Sequence, residues 1–193
     1  MSRLARRLLV LGALLLLPLT LGGCFLNVFQ TGETLPPGHF SWLLGLGGQF
    51  IASPSQWASQ LHLRCGIAPD TDLGVSSGLL ITPQSGQITP LGLVADLRRR
   101  LHHRPAFTLG LGLGSLSFSS LLSDISLYLS QPFGVLTPYA AYRASLTLSA
   151  AAGPEIIQQL AAGVAIENRN RTPIFLEISW REGQILLGFA ARF

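Results

Sequence analysis

The chain has 193 residues, with 13 basic positions that are all arginine and nine acidic ones, for a formal charge of +4; 11% of residues are charged and 48% are hydrophobic. A soluble domain carries about a quarter charged residues, so this composition is badly suited to a surface covered by water. Two cysteines and four histidines are too few, at the usual spacings, for a closed thiolate zinc site. The basic excess does not point to nucleic acid either: the dense cluster Arg98-Arg99-Arg100 with His102, His103 and Arg104 lacks interleaved aromatics. It reads as a polar strand end and turn at a membrane rim, facing anionic headgroups.

The first segment places Arg3, Arg6 and Arg7 before the apolar run Leu8 to Leu21, closed by Gly22, Gly23 and Cys24. A basic start, a short apolar stretch and small residues before a cut make a secretory signal, and Pro18 with the glycine pair makes the run a poor membrane helix. The quartet Leu21-Gly22-Gly23-Cys24 resembles the lipobox of bacterial lipoproteins. That resemblance implies a signal peptide over 1–23, cleavage before Cys24, a covalent lipid on Cys24 and no other cofactor. Phe25 stands where an acidic residue retains enterobacterial lipoproteins at the inner membrane, so the resemblance also implies an outward address. With Cys24 acylated, Cys65 has no partner for an intramolecular disulfide. Residues 24–37 are expected to be a lipid-anchored linker and 38–193 a single domain.

No apolar run after Cys24 approaches the roughly 18 residues that suggest a spanning helix. Period-two alternation recurs instead. Phe40, Trp42, Leu44 and Leu46 alternate with Ser41, Gly45 and Gly47; Leu61 and Leu63 with His62 and Arg64; Leu73, Val75 and Leu79 with Gly74, Ser76 and Gly78. Leu91, Leu93, Ala95 and Leu97 oppose Gly92, Asp96 and Arg98, and Phe107, Leu109, Leu111 and Leu113 oppose Thr108 and three glycines. The pattern continues with Ile125, Leu127 and Leu129 against Asp124, Ser126 and Tyr128, then with Ala140 to Leu148, then with Leu160 to Ile166. A last hairpin pairs Ile174–Arg181 with a strand whose Ile185, Leu187, Phe189, Ala191 and Phe193 share a face, Leu186 being the exception on the other. Turn clusters lie between these segments: Ala68-Pro69-Asp70-Thr71-Asp72, Thr82 to Gly86, Gln131 to Gly134, Ala152-Gly153-Pro154 and Asn168 to Arg171. The expected fold is all-β, an antiparallel up-and-down transmembrane barrel of about ten strands of ~9 to 11 residues, with eight as the fallback.

The face opposite the leucines is mostly Gly, Ser, Thr and Ala, which would hydrate poorly as an exterior but suits a narrow lumen. The long side chains on it, namely Arg64, Asp96, Arg98, Asp124, Arg143, Glu167, Glu177, Arg181 and Arg192, have mixed signs and are expected to pair across the lumen and fill it. The end of the chain resembles the C-terminal signal of outer-membrane barrels of Gram-negative-type bacteria: Gly188, Ala191 and Phe193 stand at its glycine, penultimate apolar residue and terminal aromatic. It departs from that signal in the small Ala191 and in Leu186, where a polar residue is usual. This resemblance implies membrane lipids and the outer-membrane assembly machinery as partners. The role expected is structural, adaptor or narrow-pore. One alternative is a tethered lipocalin-like carrier of an apolar ligand, with Gly38-His39-Phe40 as the nearest match to the first-strand signature. A second is a lipid-modifying enzyme using His39, His62 or His102 with a rim serine. Asp70 and Asp72 could ligate calcium, although turn bonds explain them more simply.

Overall fold

A computed structural model of the protein describes residues 27–49, 56–117, 120–149, 153–167, 172–181 and 184–193. Signal residues 1–23, Cys24 and the clusters at 168–171 and 182–183 lie outside the described residues. Ten strands follow one another: β1 (Phe40–Gln49), β2 (Gln56–Ala68), β3 (Thr71–Thr82), β4 (Gln87–His103), β5 (Ala106–Ser117), β6 (Ser120–Ser130), β7 (Leu136–Ser149), β8 (Gly153–Ile166), β9 (Ile174–Arg181) and β10 (Gln184–Arg192). Each pairs antiparallel with its sequence neighbour. β1 then closes on β10, from Leu43 opposite Arg192 to Gln49 opposite Leu186. Closure leaves no unpaired edge. Strand lengths run from 8 to 17 residues, wider than the expected range.

Alternation decides what each strand shows to either side. Leu111, Leu146, Ile178 and Phe189 face outward with 54%, 38%, 50% and 48% of their surface exposed. Gln60, Arg64, Ser126, Tyr128, Gln159, Phe175, Glu177 and Ser179 are buried inside. A continuous leucine-rich exterior around a polar interior is the inverse of a water-soluble barrel, and it is the arrangement of a membrane β-barrel. Aromatic rings mark the mouth where β1 begins and β10 ends, here the proximal mouth. Trp42 and Phe193 stack there at 4.3 Å between centroids, and their backbone groups exchange hydrogen bonds of 2.9 and 2.7 Å. A charge on the outer band should be costly: Ile178→Arg is expected to lose about 2–4 kcal/mol in urea titrations of the barrel folded into lipid vesicles. Ile178→Val in the same assay should stay near the parent.

β4 departs from the expected phase. Opposite Ser77 and Gly78 of β3 the register skips one residue, so Gly92 is bulged out between Leu91 and Leu93. A bulge inserts one unpaired residue and turns the following side chains to the other face. Leu91, expected outside, is therefore buried within the lumen. It packs against Ala58 and Leu186.

Candidate functional site: an N-terminal segment held inside the barrel

Residues 24–37 were expected to be a lipid-anchored linker, and the described part of that stretch begins at Asn27. Asn27, Val28, Phe29, Gln30 and Thr31 are buried in the lumen, at 0–4% exposure. From Asn27 the chain runs down the interior to the proximal mouth and reverses through Pro37-Gly38. There Gly38 N–H donates to the Gly66 carbonyl at 2.8 Å, and the chain enters β1. Gly38 has φ of +79°, a conformation glycine adopts at little cost. The segment forms no strand of its own, so its polar backbone atoms must find partners on the wall.

Glu177 on β9 meets the deep end. Its Oε1 accepts from Val28 N–H at 2.7 Å and from Asn27 Nδ2 at 3.2 Å; its Oε2 accepts from Phe29 N–H at 2.6 Å and from Tyr139 Oη at 2.9 Å. Lower down, Gln30 offers one oxygen to two arginines: Arg64 Nη1 at 3.1 Å and Arg98 Nη1 at 2.8 Å. Arg98 also donates to the Thr31 and Glu33 carbonyls at 3.3 and 3.1 Å. Gly32 is held from both sides, its N–H by Ser130 Oγ at 3.0 Å and its carbonyl by Thr108 Oγ1 at 2.5 Å. Leu35 N–H donates to Asp72 Oδ2 at 3.1 Å. The wall therefore grips mainly the main chain of the segment.

Apolar anchoring is limited to two residues. Phe29 packs with Leu43, Tyr139, Phe175 and Ala190, and Val28 with Tyr128, Ala141 and Ala161. The wall is recessed to receive them. A Cβ at Gly45 or Gly188 would collide with the Phe29 ring, and one at Gly47 with the Asn27 side chain. These glycines of β1 and β10 are thus required by close approach.

Beneath the segment lies a cluster of charges. Asp72 accepts a two-pronged contact from Arg98, Nε to Oδ1 at 3.1 Å and Nη2 to Oδ2 at 2.9 Å, and a second from Arg64, Nη2 to Oδ1 at 2.6 Å. Arg64 also grips Asp96, at 3.2 Å to Oδ1 and 2.8 Å to Oδ2. Planar guanidinium forks suit such paired carboxylate contacts. Sequence composition had put Asp72 in a turn, where calcium was the alternative. It is instead a fully buried strand residue neutralised by arginine. Among the described residues, no group of three or more His, Cys, Asp and Glu side chains converges to hold a metal.

The other expected lumen residues are distributed differently. Arg143 lies within reach of the Tyr128 hydroxyl and the Asp124 charge. Arg192 stacks its guanidinium 4.7 Å above the Phe175 ring, and Arg181 takes an inward position at the end of β9. Glu167 does not join them: it lies one residue beyond β8, exposed, with its N–H on the Val135 carbonyl at 2.8 Å. At the proximal rim Arg100 links Glu33 of the segment, at 2.6 Å, to Asp70 of the β2–β3 turn. The hydrogen bond from Arg100 holds the Asp70 carboxyl below its usual range.

The histidines are set in three surroundings. His62 sits in the lumen between Gln30 and Gln60, each 3.3 Å from a ring nitrogen. His39 and His102 are exposed at the rim, with Nδ1 near the carbonyls of Pro37 and Pro105 at 3.4 and 2.9 Å. Of the assembly-signal positions, Gly188 faces the segment, and Ala191 and Phe193 lie on the outer face.

No protein family model matches the chain, and no curated protein matches it in sequence. Among solved structures it is similar to a de novo designed transmembrane β-barrel, at 12% identity and a TM-score of 0.40 over 83% of this chain and all of that one. It is also similar to a loop-deletion mutant of OmpT, an outer membrane protein of Vibrio cholerae. There the identity is 10% and the TM-score 0.38, over 78% of this chain and 58% of that one.

Proposed function

We propose that the protein is an outer-membrane β-barrel lipoprotein, anchored through acylated Cys24, with a structural or adaptor role in the envelope. Its working partners are membrane lipids and, during biogenesis, the outer-membrane assembly machinery. The observation that carries the membrane reading is the inside-out burial, with Leu111, Ile178 and Phe189 exposed around a lumen that buries Arg64, Asp72, Arg98 and Glu177. Support for the anchor comes from the sequence of the first 24 residues. The carrier alternative needs an apolar cavity. Residues 27–35 and the arginine–carboxylate cluster take up that space, so no ligand role is assigned to the lumen. The histidine surroundings favour no catalytic reading.

Expression in a Gram-negative host tests this directly. The expected result is recovery in the outer-membrane fraction, faster gel migration before boiling than after it, and incorporation of labelled palmitate that Cys24→Ser abolishes. A palmitate-free product would remove the anchor alone, and a soluble periplasmic product with no heat-dependent mobility would overturn the membrane assignment. Removal of Phe193 breaks the stack on Trp42 and the closing backbone bonds, and is expected to slow the appearance of the folded band several-fold in a pulse-chase experiment.

A further inference from the structure

We propose that residues 27–36 are a displaceable plug, tied at Gly38 and toward Cys24, and that the barrel passes small anions when the segment comes off its wall anchors and shifts aside within the lumen. The inference rests on the membrane-barrel reading above and adds an activity to it.

Four observations support this assignment. First, the wall does not need the segment in order to close. The β1–β10 seam runs over seven residue pairs, and the segment supplies no rung to any ladder. Second, the wall is shaped for it, with Gly45, Gly47 and Gly188 leaving recesses for Asn27 and Phe29. Third, what holds the segment is exchangeable with water. Glu177, Ser130, Thr108, Arg98 and Asp72 contact its backbone atoms, and water can replace each of these hydrogen bonds in turn. The salt bridges beneath, Arg64 to Asp72 and Asp96 and Arg98 to Asp72, lie entirely within the wall and survive its departure. A segment built as permanent core would be held by apolar packing, and here, among the described residues, Val28 and Phe29 supply its buried apolar contacts.

Fourth, the lumen left behind has a sign. Its described charges in inward phase are the arginines at 64, 98, 100, 143, 181 and 192 against Asp72, Asp96, Asp124, Glu155 and Glu177, six against five. Displacing the segment strips Gln30 and the carbonyls of Thr31 and Glu33 from Arg64 and Arg98, and Asn27, Val28 and Phe29 from Glu177, so two guanidinium groups and one carboxylate are bared along the path. An excess of guanidinium groups lining a narrow pore favours anions.

The test uses the full chain purified from outer membranes, in a Cys65→Ser background, with single-channel recording in planar bilayers under a KCl gradient. The parent is expected to be silent or to open briefly. Gly47→Leu, which fills the Asn27 recess, and Glu177→Gln, which weakens the deep anchor, are each expected to give sustained openings with a chloride-to-potassium permeability ratio of several-fold. Adding Asn27→Cys and Gly47→Cys to Glu177→Gln should silence the channel when oxidised, and dithiothreitol should restore the current. If both opening variants insert, keep their heat-dependent mobility and stay silent, the plug proposal falls while the membrane barrel stands. Current that persists in the oxidised triple variant, or a preference for potassium, overturns it equally. A parent protein that never enters the bilayer and shows no heat-dependent mobility defeats the membrane reading instead.

Discussion

Glu177→Ala is expected to destabilise the folded barrel by at least about 3 kcal/mol, several stranded donors at about 1–3 kcal/mol each, measured as a shift of the urea midpoint for unfolding from lipid vesicles at constant slope. The carboxyl group is 4% exposed and accepts from four donors at once: Asn27 Nδ2, Val28 N–H, Phe29 N–H and Tyr139 Oη. Truncation leaves all four without an acceptor, and a buried donor stripped of its partner costs about 1–3 kcal/mol. Water entering the vacated space relieves part of this. Glu177→Gln keeps one carbonyl oxygen but turns an amide N–H₂ toward N–H groups, so its loss should be smaller, about 1–3 kcal/mol. Tyr139→Phe removes a single donor and leaves the carboxyl its three contacts with the segment. It should cost about 1.5–3 kcal/mol, the size of one hydrogen bond to a charged group. If Glu177→Ala unfolded at the parental midpoint, the segment would not be anchored there in solution.

Most of the barrel wall was legible in the sequence because the strand period is two and the two faces carry different chemistry. Where Leu and Phe alternate with Gly, Ser and Thr, as from Phe107 to Gly114 or Ile174 to Arg181, a single strand suffices to assign both faces. Two apparent breaks in that code explain each other. Leu186 looked like an apolar intruder on the lumen side of β10, and Leu91 looked like an outward residue of β4. The bulge at Gly92 turns Leu91 inward, where it meets Leu186 and Ala58 in a small apolar cluster. An unpaired residue is a property of two strands together, so one strand's sequence does not announce it.

Glu167 was misplaced for a related reason: its phase points inward, but β8 ends at Ile166, and alternation has no meaning beyond the last rung. The internal segment was illegible for a stronger reason. Asn27 to Pro36 has neither a helical nor a strand period, and its fixed points are distant in sequence: Val28 meets Glu177 across 149 residues. The glycines at 45, 47 and 188 mark the close approach, but in the sequence they read as small lumen residues and a C-terminal signal. Nothing local said that the approaching chain was the protein's own N-terminal region.

Asp72→Ala is expected to be comparably disruptive, at about 3–5 kcal/mol in the same vesicle titration, for an electrostatic reason. Asp72 is fully buried and takes both Arg64 and Arg98, while Asp96 takes Arg64 alone. Its removal leaves Arg64 with Asp96, strips Arg98 of its salt bridge to Asp72, and releases Leu35 N–H near the proximal mouth. The loss in the single variant is then mostly the penalty of an uncompensated charge, and less the intrinsic worth of the bridge. That distinction is measurable: if an orphaned Arg98 is the main cost, Asp72→Ala combined with Arg98→Leu should recover part of it. The coupling between the two substitutions should fall within about 0.5–3 kcal/mol. Asp72→Asn, which keeps the shape and one acceptor, should lie between parent and Asp72→Ala. Strict additivity of the Asp72 and Arg98 losses would mean that water, and not the neighbouring arginine, solvates this carboxylate, and the lumen would then be far wetter than the 0% exposure of Asp72 implies.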